Sequence, residues 1–120
     1  MLPANLFMND KTRKLLFDVL DSGHAIREWR AGRSFDEYFS DRKFRRAVER
    51  EFEIIGEALN RLSEEDADTA GQIPELPRIV AFRNRIIHGY DSVDDATVWG
   101  VIDQHLPFLV AQAENLLKAS

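Results

Sequence analysis

Six apolar residues, Phe44, Val48, Phe52, Ile55, Leu59 and Leu62, recur at three- and four-residue intervals through a stretch otherwise dominated by charge. At about 100° per residue they fall within one arc of roughly 80°, so the stretch has a clean apolar face only as a helix. A helix with one apolar stripe must bury that stripe against something. Nothing in the chain offers a sheet for the purpose. Sustained alternation is absent, and no Asn-Gly or Asp-Gly stands between β-branched runs. The packing partners must themselves be helices.

The remaining periodicity supplies them. Asn9 or Asp10 can cap a first helix reaching about Arg30, with Leu16, Val19, Leu20, Gly23 and Ile26 on one side and Gly32 as its close. Ser34 to Phe39 reads as a short helical turn that sets aromatics on the core. Ser40 is placed to cap the long second helix, roughly residues 41–62, with Glu51 beside its apolar arc and Gly56 on its flank, where a small residue admits a neighbouring helix. Residues 63–74 form a polar connection. A third helix begins between Glu75 and Arg78 and runs to His88, with Gly89 as its stop. After Asp94 or Asp95 comes a last segment carrying Trp99, Ile102, Leu106, Leu109 and Leu116, which Pro107 should interrupt near His105. The expected fold is all-α: a single domain over residues 1–120, an antiparallel bundle of four to five helices.

Composition narrows the chemistry. With no cysteine, disulfides, thiolate catalysis and cysteine-ligated zinc are excluded together, and a reducing cytoplasmic setting fits. No run approaches the roughly 18 apolar residues of a membrane span, and the N-terminal stretch lacks the pattern of a signal peptide. His24, His88 and His105 stand far apart and no HExxH occurs, so neither a metal nor a cofactor is expected. A net charge of −5 argues against coating nucleic acid indiscriminately. The cations are nevertheless mostly arginine, twelve against four lysines, which suits bidentate pairing with carboxylate or phosphate. Arg42, Arg46 and Arg50, at i,i+4 spacing, could follow an RNA backbone, or simply form a solvated face of ion pairs.

The third helix breaks the pattern. In "RNRIIHGY", residues 83–90, Arg83 projects into the middle of the arc formed by Ile79, Val80, Phe82, Ile86 and Ile87. A guanidinium there needs a carboxylate partner such as Glu51 or Glu57. Removing the arginine from a fully buried pair would cost about 3 to 5 kcal/mol. Asn84 and His88 are i,i+4 neighbours at one edge, and Tyr90 follows the stop. Together these groups suit RNA cleavage without metal. A histidine can move the proton of the 2′-hydroxyl or of the leaving 5′-oxygen, and an arginine can stabilise charge on the scissile phosphate. One histidine per motif is too few for both proton transfers, and a two-fold dimer would supply a second.

Arg83-Asn84, four residues between Arg83 and His88, then one residue and Tyr90, resembles the R-x4-H-x-Y signature of HepT-like HEPN proteins. "EREFEIIGEALNRLSEED" (49–66) is similar to the family's second-helix block, and "VDDATVWGVIDQHLPFL" (93–109) to its closing segment. The segment "IPELPRIVAFRN" departs from the family, where a Pro-Trp pair and a small residue more often precede the arginine, and implies altered packing of the third helix. The resemblance implies a homodimeric HEPN-like bundle and an endoribonuclease toxin with its site at the dimer cleft. Arg83 and His88 take the catalytic positions, supported by Asn84 and, from the core side, Glu51. It implies an RNA substrate, tRNA among the candidates, and a minimal nucleotidyltransferase antitoxin of the MntA type that adenylylates Tyr90. The alternative is a non-catalytic subunit that binds nucleotide or RNA and docks the nucleotidyltransferase.

Overall fold

Short polar side chains start most of the helices. In the computed structural model, which describes residues 8–88 and 93–119, Asn9 accepts from the Thr12 N–H and opens α1, Asp10–Arg30. Ser34 and Glu37 form a reciprocal capping box at the head of α2, Phe35–Ser40. Asp41 opens α3, Arg42–Glu65; Asp66 opens α4, Ala67–Ala70; and Asp94 opens α6, Asp95–Gln104. The other two are α5, Leu76–His88, and α7, Leu106–Ala119. Among the described residues there is no strand, so the chain is all-α. None of these helices is long and apolar enough to cross a membrane.

The expected boundaries shift where a competing hydrogen bond wins. Ser40 does not cap the long helix: its hydroxyl donates back to the Asp36 carbonyl at 2.7 Å, within α2, and Asp41 takes the capping role. The long helix runs one turn further than the apolar stripe, and the polar connection after it folds into α4. Pro107 interrupts as expected. It sits in the first turn of α7, where a missing N–H costs nothing, so the C-terminal segment becomes two helices meeting at His105. Gly32, at φ 73°, makes the left-handed turn after α1.

All six residues of the founding stripe are buried against one core. Antiparallel packing of α1 on α3 is fixed by two polar ties, Thr12 to Asp66 and Ser22 to Glu51. The contacts of His24 with Glu114 and Arg30 with Asp103 set α7 and the end of α6 antiparallel to α1. At the α2 end of the core, Tyr38 is fully buried, with Phe44 edge-on at 5.0 Å and Trp99 at 5.3 Å. Its hydroxyl has no hydrogen-bond partner among the described residues, and burial pushes its pKa up, helped by Asp95 and Glu49. Phe39, expected on the core, turns outward at 58% exposure because Phe35 and Tyr38 occupy the inner side of the six-residue turn.

Candidate functional site

The position of Arg83 is set by the residue before it. Phe82 is buried edge-on against Phe52 at 5.0 Å, and with Ile79 it seats α5 on α3. That seating carries the Arg83 stem directly over Gly56. A Cβ at position 56 would meet Arg83 Cγ at 2.3 Å and Cβ at 2.5 Å, so only glycine admits the stem. The next residue of α3 receives the head: Arg83 Nη2 donates to Glu57 Oε2 at 3.0 Å. Nη1 donates to Asn84 Oδ1 at 2.9 Å. The Arg83 side chain keeps 19% of its exposure, and its Nε–H is buried without a hydrogen-bond partner among the described residues. A guanidinium so placed has lost water at Nε, and its partly exposed remainder is what an oxyanion in the cleft could meet.

Glu57 carries a second arginine. Its other oxygen accepts from Arg61 Nε at 2.9 Å. Arg61, Arg83 and Arg50 face one cleft of about 390 Å³, together with Glu53, Ile54 and Ile87. Ile87, expected within the apolar arc, is 40% exposed on the cleft wall. His88 ends α5, exposed, five residues and therefore about 7.5 Å along the axis from Arg83. Asn84 lies one turn before it and is also exposed. Asn84 and His88 share one edge of the helix, about 100° and 140° around its axis from Arg83, and neither lines this cleft. Gly89 and Tyr90 lie outside the described residues.

Glu51, Arg42 and Arg46 of the expected site are placed elsewhere. Glu51 does not meet Arg83: it accepts from the Ser22 hydroxyl at 2.7 Å and ties α3 to α1, while Glu57 fills the role of carboxylate partner. Arg42, Arg46 and Arg50 are exposed along α3, but Arg46 is spent on both oxygens of Glu49 at 3.0 and 3.2 Å, and Arg50 on Glu53 at 3.3 Å. Of the stripe, Arg50 reaches the cleft. Sequence reasoning missed Arg61, although Glu57 and Arg61 at i,i+4 carried the signal. Among the described residues no three of His, Asp and Glu gather as a metal-binding group would.

Both halves of this arrangement, Gly56-Glu57 on α3 and Arg83 to His88 on α5, lie inside a match to the family described as "Ribonuclease HepT-like", which spans residues 19–116. The chain belongs to the HepT-like ribonuclease family. Among its relatives, "Probable ribonuclease HepT" of Thermococcus cleftensis is 29% identical over 113 residues, 92% of this chain and 100% of that one. "Putative RNase TTE0752" of Caldanaerobacter subterraneus is 30% identical over 106 residues, 88% of this chain and 94% of its own. "Putative RNase MJ0127" of Methanocaldococcus jannaschii is 29% identical over 108 residues, 88% and 87% of the two chains. No solved structure matches. In this HepT-like chain the matched region thus holds the glycine that admits the arginine, the carboxylate that anchors it and the helix end that presents the histidine.

Proposed function

We propose that the protein is a metal-independent endoribonuclease, the toxin of a toxin–antitoxin pair. The observation that carries this reading is Arg83 anchored by Glu57 and Asn84 beside an open cleft, on the helix that ends in His88. His88 takes the proton of an RNA 2′-hydroxyl, and the 2′-oxygen attacks the adjacent phosphorus. Arg83 stabilises the charge that builds on the non-bridging oxygens. The leaving 5′-oxygen takes a proton from a second imidazole, which a two-fold dimer supplies by bringing a second motif to the cleft. The products are a 2′,3′-cyclic phosphate and a 5′-hydroxyl.

The same reading assigns regulation to Tyr90. A minimal nucleotidyltransferase partner joins its phenol oxygen to the α-phosphate of ATP and releases pyrophosphate. The adenylyl group places negative charge where the RNA phosphate must sit and competes for Arg83. Incubation with RNA in excess EDTA is the test. Cleavage leaving a cyclic phosphate, lost in His88→Ala, is expected. Cleavage that requires added metal would overturn the mechanism, and RNA binding without cleavage would identify a binding subunit instead.

A further inference from the structure

Glu57 holds two guanidiniums, one on each oxygen, and holds Arg61 differently from the way Glu49 and Glu53 hold Arg46 and Arg50. Arg46 and Arg50 reach their glutamates through Nη1, the outer end of the fork. Arg61 is held through Nε, the inner nitrogen, at 2.9 Å, and its two terminal nitrogens have no partner among the described residues. An arginine gripped by Nε presents its Nη1–Nη2 edge with the fork already oriented, the arrangement that recognises two oxygens of one phosphate.

Charge points to the same place. The Arg46–Glu49 and Arg50–Glu53 pairs each sum to zero, and Asp18, on the far wall of the cleft, is matched by Lys14. Arg61 and Arg83 share a single carboxylate, so the groups lining this cleft and their ion-pair partners carry one positive charge in excess, while Arg61 also borders a second groove with Glu64 and Glu65. Arg61 is exposed, at 65% of its side chain, whereas Arg83 is mostly covered. One cation is thus fixed deep in the cleft and one at its rim, bridged by a single carboxylate.

We propose that Arg61 and Arg83 form a two-phosphate subsite for one RNA strand. Arg83 takes the scissile phosphate, Arg61 takes a neighbouring phosphate of the same strand, and Glu57 sets their spacing. Backbone recognition then lies at this pair and not along the Arg42, Arg46, Arg50 stripe. The role of Arg83 rests on the ribonuclease reading above; the role of Arg61 is separable from it.

The test is binding of an RNA oligonucleotide whose 2′-hydroxyls are all O-methylated, so that it cannot be cleaved, over a salt series with the full chain. Arg61→Ala should weaken binding about tenfold. It should also lower the slope of log affinity against log salt by about 0.7, one phosphate contact on a single strand. Arg61→Lys should recover the slope but not the affinity, because it restores the charge without the fork. Arg27→Ala removes the same charge from an exposed position on α1 and should change affinity by no more than about twofold. An Arg61→Ala protein that behaves like Arg27→Ala, or a parent that does not bind the oligonucleotide, overturns the subsite. Cleavage of unmodified RNA is read separately. A parent that fails to cleave while Arg61→Ala still weakens binding would remove the ribonuclease reading and leave the subsite standing.

Discussion

Asp66 and Arg83 each bring a charge to the edge of the same core, and the protein completes one and leaves the other open. Asp66 accepts from the Thr69 hydroxyl at 2.7 Å, the Thr69 N–H at 3.1 Å and the Thr12 hydroxyl at 3.1 Å, all supplied by α1 and α4. Thr12 and Thr69 are themselves buried. Nothing at that junction asks for a further ligand. Arg83 has Glu57 and Asn84, an Nε–H buried without a partner among the described residues, and a cleft beside it. Asp66 is a charge that the fold itself satisfies, whereas a neutral group can be buried unpaired among the described residues, as the Tyr38 hydroxyl is. A charge kept partly exposed at a cleft, as Arg83 is, stays available to a ligand.

The largest test of that contrast is activity. Arg83→Ala and His88→Ala should each lower the cleavage rate by at least about 10²-fold, the span of one acid–base or electrostatic group. Melting temperature, followed by circular dichroism, should move little for His88→Ala, which empties an exposed position. For Arg83→Ala the geometry revises the estimate of 3 to 5 kcal/mol that a buried pair would give. Glu57 is 45% exposed and retains Arg61, so no stranded buried charge remains. A loss of about 1 kcal/mol is expected, mainly stem packing. A loss several times larger in urea denaturation would place Arg83 with Asp66 among the structural charges.

Gly56→Ala sharpens the comparison at intermediate size. Its new methyl would stand 2.3 to 2.8 Å from three carbons of the Arg83 stem, so either the arginine or the whole of α5 must move. A destabilisation of about 1 to 3 kcal/mol is expected, with loss of cleavage because the head leaves Glu57. In the Gly56→Ala, Arg83→Ala double variant the contacts with Cγ and Cδ disappear while the 2.5 Å approach to the Cβ at position 83 remains, so part of the stability should return. Additive losses in that double-mutant cycle would show that the glycine serves some other contact.

How much of this was legible follows the physics of each signal. The stripe on α3 and the caps at Asn9 and Asp94 are local, and local rules placed them. Ser40 misled because two adjacent residues could each cap, and the Ser40 hydroxyl found a carbonyl one turn back. α4 was hidden in a polar segment whose helix depends on the Asp66 cap and on burial of Ala70, not on any apolar period. At the site, the wheel found Arg83 out of place and left Glu51 and Glu57 as alternatives. It could not choose, because the choice depends on how α5 is rotated on α3, and that rotation is set by Phe82 against Phe52. The unused fork of Arg61 is invisible in sequence, since i,i+4 spacing says that two residues meet and not which nitrogen bonds.

The smallest expected effect comes from the completed junction. Burial alone would raise the Asp66 pKa. The Thr69 hydroxyl, the Thr69 N–H and the Thr12 hydroxyl outweigh it and hold the carboxyl below its ordinary value of 3.8. A carboxyl whose folded pKa is depressed contributes stability that is fully present above its unfolded pKa. That contribution is lost as pH falls through the lower, folded value. Asp66→Asn keeps an oxygen to cap α4 but removes the charge and one acceptor. It should cost about 1 kcal/mol at pH 7, read by urea denaturation, with cleavage unchanged. As the solution is acidified below about pH 4, the parent loses stability and the variant, which has no proton to take up here, does not lose this share of it. The two stability curves should therefore converge in acid. Parallel curves would mean that the charge of Asp66 contributes nothing at this junction. A fall in cleavage without a fall in stability would mean that full hydrogen bonding does not separate structural charges from functional ones in this fold.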